Sequence, residues 1–182
     1  NQALALVHDT RTSLVELRSG CFASCERDGK VVVATRPSPC HAGSKCVLVY
    51  TASGGVLQGS SQIRLHCGHN GWRDPQVVEM KKQPTFDEGG DVWCCEVEVP
   101  DAAVALNAVF SNEHGTYDNN SEKNFNVIVE ILGGEGEAHW DALASKLQAE
   151  IKAKRLAEEA AEAERRERRE RRKREAREYS LE

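Results

Sequence analysis

Residues 61–72 read Ser61-Gln62-Ile63-Arg64-Leu65-His66-Cys67-Gly68-His69-Asn70-Gly71-Trp72. In an extended strand successive side chains point to opposite faces, so Ile63, Leu65 and Cys67 share one face while Arg64 and His66 share the other. An apolar face backed by a polar one is the pattern of an antiparallel sheet with one side on a core. His66 is thereby placed away from that core. The run ends at Gly68, and Asn70-Gly71 supplies residues that tolerate the left-handed backbone a tight turn needs.

The same grammar extends in both directions. From Gly20 to Glu130 the chain breaks into short runs rich in Val, Ile, Leu and aromatics, each bounded by Gly, Pro, Asn or Asp, which predicts an antiparallel β-sandwich or barrel. Asp28-Gly29 suits a hairpin turn between Cys21–Cys25 and a run at 30–35. Further strands are predicted at 46–51, 61–67, 77–80, 93–99, 105–111 and 124–130. Pro100 stops the fourth of these. Trp93 alternates with Cys95, Val97 and Val99 and is assigned to the core.

After Gly133-Gly134-Glu135-Gly136 the period changes from two to that of a helix. Trp140, Leu143, Leu147 and Ile151 form a short apolar stripe that fades beyond Leu156. Past it Glu162, Glu164, Glu167 and Glu170 stand four residues before Arg166, Arg168, Arg171 and Arg174, a spacing worth roughly 0.2–0.5 kcal/mol per pair. With no sustained a/d seam, this segment reads as a long charged single helix rather than a coiled coil. The expected division is an N-terminal extension at 1–29 with room for an added strand, a β-module at 30–131, a Gly-rich linker at 132–139 and a helical spacer at 140–182.

Charge narrows the partners. Of 24 basic and 29 acidic side chains, residues 146–182 hold 13 and 10, which leaves residues 1–145 with 11 basic against 19 acidic. An acidic globular part lacks the basic face that phosphate neutralisation requires, so nucleic acid is not the expected partner. No apolar run approaches the roughly 20 residues that span a bilayer, and the chain reads as soluble, with no membrane partner. A start at Asn1 and an end at Leu181-Glu182 read as those of a piece of something longer.

Seven cysteines, Cys21, Cys25, Cys40, Cys46, Cys67, Cys94 and Cys95, form an odd set without paired C-x-x-C spacing, which favours reduced thiols over a disulfide framework or a zinc site. Cys21 with Cys25, or Cys40, His41 and Cys46, are the sharper metal alternative; none is adopted, and no metal or cofactor is expected. There is no nucleophile elbow, phosphate loop or His-Glu-x-x-His pair. Asp74, Glu113 and Asp118 have no spacing that demands a glycosidase pair. A non-catalytic role is the expectation.

Two clusters remain, His66 to Trp72 and Tyr117-Asp118-Asn119-Asn120. A pyranose has an apolar C–H face and a rim of hydroxyls, so its site needs flat aromatics beside amides or carboxylates. The same residues are also ordinary turn formers, and composition leaves both readings open.

The order of the pieces resembles the starch-binding carbohydrate-binding modules of families 25 and 53, the latter repeated before the catalytic part of plant and algal starch synthase III. The likeness covers about residues 30–130. It includes Ala42-Gly43-Ser44 before Val47-Leu48-Val49-Tyr50, then Leu57, then Ile63-Arg64-Leu65-His66 running into Gly68 and Asn70-Gly71-Trp72. It continues with Trp93, Val99-Pro100, Leu106 to Phe110, and Tyr117-Asp118-Asn119-Asn120 with Phe125. The family often has an aromatic where His69 stands and another pair where Cys94-Cys95 stands.

The resemblance implies a mainly β, immunoglobulin-like antiparallel β-sandwich that binds α-1,4-glucan (starch or maltooligosaccharide) by stacking and hydrogen bonding, with no catalysis of its own. It implies a carbohydrate site at His66, His69, Asn70, Trp72, Tyr117, Asp118, Asn119 and Asn120. It further implies a starch synthase parent with further modules or a catalytic domain beyond this chain, acting at starch granules in the stroma of a chloroplast or other plastid. A starch-binding scaffold whose charged helix recruits a protein partner is the alternative.

Overall fold

A computed structural model describes residues 2–84, 90–131 and 137–179. The order of elements is α1 (Gln2–Ser19), β1 (Ser24–Arg27), β2 (Lys30–Arg36), β3 (Cys40–His41), β4 (Lys45–Thr51), β5 (Ile63–His69), β6 (Arg73–Glu79), β7 (Lys81–Lys82), β8 (Val92–Glu98), β9 (Ala105–Asn112), β10 (Tyr117–Asp118), β11 (Phe125–Glu130) and α2 (Glu137–Tyr179). The chain is mainly β, in two sheets ordered β1-β2-β4-β8-β7 and β3-β11-β9-β5-β6, with β10 added beside β9. All but one of the pairings between named strands are antiparallel; the short β3 runs parallel to β11.

The sequence alternation becomes burial. Ile63, Leu65 and Cys67 are buried while Arg64 is exposed and His66 half-buried. Between the sheets Tyr50 of β4 stacks on Phe110 of β9 with centroids 3.9 Å apart, and Phe125 meets both rings edge-on. Trp93 lies inside, its Nε1–H donated to Asp91 at 2.9 Å. Cys40, Cys46, Cys67 and Cys95 are part of this core. Burial pushes the Cys67 thiol up to about 11 and the Cys95 thiol up to about 12, so both are protonated and behave as small apolar groups. All seven thiols are free, and among the described residues no three His, Cys, Asp or Glu side chains gather as a metal-holding group.

The N-terminal segment holds an element the sequence reading lacked. Residues 2–19 are a helix, where only an extension with an added strand was expected. Its middle, Thr10 to Ser13, is poor in strong helix formers, and tertiary packing decides the matter instead. Leu14 joins a second apolar cluster with Val104, Ala105, Ile131, Trp140, Leu143, Ala144 and Leu147. The stripe expected on α2 is therefore used: its first turns cap one end of the sandwich together with α1. Beyond Ile151 the side chains of α2 are exposed as far as they are described, to Arg174. The expected glycine linker at 132–139 falls largely outside the described residues.

Candidate functional site

Pairing register decides which side chains share the outer face of the second sheet. His66 sits opposite Val109 of β9 and Val77 of β6, and Tyr117 opposite Ser111. Opposed residues in a ladder point to the same side, so His66, Val77, Val109, Ser111 and Tyr117 form one outward surface. His66 Nε2 lies 2.8 Å from Ser111 Oγ, and its ring is 5.3 Å from that of Tyr117 at a tilt of 46°. Tyr117 is 54 % exposed. Partial burial, then the charge of Arg64, lower the His66 pKa from its ordinary 6.5, so the ring is a neutral donor and acceptor at neutral pH.

The other end of the surface is built by the turn after β5. Asn70, Gly71 and Trp72 all take positive φ, at 45°, 77° and 67°. For a residue as bulky as Trp that conformation is strained and persists only where neighbours determine it. Here they do. Asn107 Oδ1 accepts the backbone N–H of Gly71 at 2.9 Å and of Trp72 at 3.0 Å. The Asn70 amide donates to the Ala102 carbonyl at 2.7 Å, and its Oδ1 accepts from Val104 at 2.9 Å. The chain folds back so closely that a Cβ on Gly68 would lie 3.0 Å from both Trp72 Cα and the Arg73 carbonyl. Trp72, half-buried, is thereby fixed near Asn107, two residues along β9 from Val109, the partner of His66, and four from Ser111, the partner of Tyr117.

The remaining candidates separate into two kinds. His69, Asn70 and Asp118 are buried. Asp118 is only 5 % exposed at its side chain; one oxygen accepts from Arg27 at 2.7 Å and the other from the Tyr50 hydroxyl at 2.7 Å. Burial lowers the His69 pKa. Asn70 and Asp118 are placed by these bonds to hold the turns, and His69 is buried at the end of β5. Asn119 and Asn120 are half-buried in the loop after β10, Asn119 Oδ1 accepting from the Glu122 N–H and Asn120 Nδ2 donating to the Asn124 carbonyl at 3.1 Å.

The carboxylates weighed as a glycosidase pair do not converge. Glu113 receives Ser61 Oγ at 2.6 Å and two backbone N–H groups, Asp74 bonds Lys154 of α2, and Asp118 is inside. Sequence reasoning missed Asn107 and Ser111. Both are polar residues on the outward side of an otherwise apolar strand, and that alternation was a usable signal.

Residues 46–108 match the sequence model of the starch/carbohydrate-binding module of family 53. The sandwich carries a module of this family. The match includes His66, His69, Asn70 and Trp72; Tyr117 to Asn120 lie beyond it. Over 129 residues the chain is 31% identical to soluble starch synthase 3, chloroplastic/amyloplastic, of Solanum tuberosum, covering 69% of this chain and 10% of that protein. It is 33% identical over 97 residues to an alpha-amylase of Clostridium acetobutylicum, covering 53% of this chain and 11% of the other. With soluble starch synthase 3a of Oryza sativa subsp. japonica it shares 31% identity over 97 residues, 51% of this chain and 5% of that one. The relatives thus include two proteins named as starch synthases and one named as an alpha-amylase, and the chain spans about a tenth or less of the length of each.

Proposed function

We propose that this family 53 module binds α-1,4-glucan on the outer face of its second sheet, without catalysis of its own. The observation that carries the reading is the exposed Tyr117 ring beside a neutral His66 on the same surface that ends at Trp72. Sugar C–H faces stack on these rings, while Asn119, Asn120 and Ser111 offer donors and acceptors to the hydroxyl rim. Asn70 and Asp118 act one step back, by holding the loops in place. An open surface of this kind buries little area, so a single module binds weakly.

In the longer protein the module holds a starch synthase against granules in the plastid stroma, where many glucan ends favour repeated modules. The relatives named chloroplastic/amyloplastic support that location. We read the sandwich as immunoglobulin-like, residues 30–131 as the module, and α2 past Ile151 as the spacer, about 40 Å long at 1.5 Å per residue. The exposure of residues 152–174 also supports a second use, recruitment of a protein partner by the helix of a starch-bound scaffold.

Co-sedimentation with granular starch, with cellulose as control and maltoheptaose as competitor, tests the reading. Selective, competable retention that is lost in Tyr117→Ala at an unchanged melting temperature supports it. Retention of Tyr117→Ala at the wild-type level would sink it.

A further inference from the structure

A cleft of about 580 Å³ opens beside β11, between the segment that links α1 to β1 and the loop that follows β10. Among its lining residues are Phe22, Ser24, Glu26, Lys123, Asn124 and Asn126. None of these lies within the segment that matches family 53.

Phe22 is the most exposed Phe, Tyr or Trp among the described residues, at 66 %. Its backbone is nevertheless fixed: its N–H donates to the Asn126 carbonyl at 3.1 Å and its carbonyl accepts from Ile128 at 2.9 Å. A rigidly mounted ring left in water is a flat apolar face that a bound group can cover. The polar lining says what kind of group that is. One cation, Lys123, and one anion, Glu26, leave no net charge to attract an ionic ligand. The backbone of Asn124 is bonded to Asn119 and Asn120, and its side-chain amide has no hydrogen-bond partner among the described residues. Amides and a hydroxyl beside a flat apolar ring match a neutral polyhydroxylated ligand.

The cleft is also joined to the outer face. Phe22 bonds Asn126, Asn126 Oδ1 accepts from Asn107 Nδ2 at 2.8 Å, and Asn107 holds the Trp72 N–H. The first two steps each cross one strand spacing of about 4.8 Å, so the Phe22 backbone, paired with Val127, lies about 10 Å from that of Asn107.

We propose that this cleft is an additional α-glucan subsite, in which Phe22 stacks on a sugar ring beyond those held at Trp72 and Tyr117, so that it selects for chain length. The inference rests on the outer-face reading above. It makes the N-terminal segment part of the binding apparatus.

Calorimetric titration of the full chain with maltotriose and maltoheptaose tests it. Phe22→Ala weakens maltoheptaose by about three- to tenfold and leaves maltotriose and the melting temperature unchanged; Phe22→Trp restores the long-chain affinity. Equal affinity of Phe22→Ala and wild type for maltoheptaose, equal losses for both sugars, or no rescue by Trp would each overturn the subsite. Tyr117→Ala in the same series separates the two claims: it weakens both sugars if the outer face binds, whatever Phe22 does. A wild-type chain that binds neither sugar removes the outer-face reading and the subsite with it.

Discussion

The side-chain oxygen of Asn107 accepts the backbone N–H of Trp72 at 3.0 Å, across a turn in which Trp72 adopts φ of 67°. One amide in the middle of a strand therefore holds an aromatic ring in a conformation it would not otherwise keep. The same oxygen takes the Gly71 N–H, and the amide nitrogen donates to Asn126. Asn107→Ala removes all three bonds. Leaving buried donors unmet costs about 1–3 kcal/mol, and the released turn no longer presents Trp72. The expected result is a lower midpoint in urea together with glucan binding weakened well beyond what the unfolded fraction accounts for. Affinity at the wild-type level in the folded fraction would show that Trp72 takes no part in binding.

The state of His66 makes glucan binding pH-dependent. Partial burial and Arg64 lower its pKa from 6.5, so the ring is neutral above that value and gains a proton only in acid. Affinity should be flat above the ordinary histidine range and fall on acidification, with His66→Asn flat throughout. The sign for stability is the same. The folded pKa of His66 and of His69 is depressed, so their contribution is present above 6.5 and is lost as pH falls towards the folded values. A titration in which affinity rises in acid would mean that the charged ring is the binding form.

Asp118 discriminates a contact from a support. Its oxygens are taken by Arg27 and the Tyr50 hydroxyl. Tyr50→Phe leaves a buried carboxylate short of one donor and should destabilise the fold by about 1–3 kcal/mol in chemical denaturation, while maltoheptaose affinity of the folded protein is unchanged. A variant of wild-type stability but reduced affinity would place the pair in the sugar site.

How much of this was legible follows from which signals are local. Ile63 to Cys67 announced their strand, face and partner layer because a two-residue period survives in the sequence whatever packs against it. Trp72 and Tyr117 were visible as aromatics beside turn residues. What the sequence hid is pairwise. Nothing near Asp118 signals that Tyr50, far away along the chain, occupies its second oxygen, and Asn70 looks like any turn asparagine until Ala102 and Val104 are brought beside it. Helix α1 was hidden for the same reason: Leu14 acquires its meaning only from Trp140 and Leu143.

That second apolar cluster makes α2 two things in one helix. Trp140, Leu143 and Leu147 are buried against Leu14, Val104, Ala105 and Ile131, and burying such side chains contributes about 1.5–3 kcal/mol each. Deleting 140–182 exposes both sides of the contact and should remove a large part of a total stability of roughly 5–15 kcal/mol. It should also loosen the turn at Trp72, because Gly71 rests against Leu17 of α1 and Asp74 pairs with Lys154 of α2. Ending the chain after Leu156 keeps all of these contacts and, among the described side chains, discards only exposed ones, so urea midpoint and maltoheptaose affinity should both match the full chain. Equal stability of the two truncations would mean that the helices do not brace the sandwich. Loss of soluble-sugar affinity in the product that ends at Leu156, at the stability of the full chain, would place part of the site on the exposed helix instead.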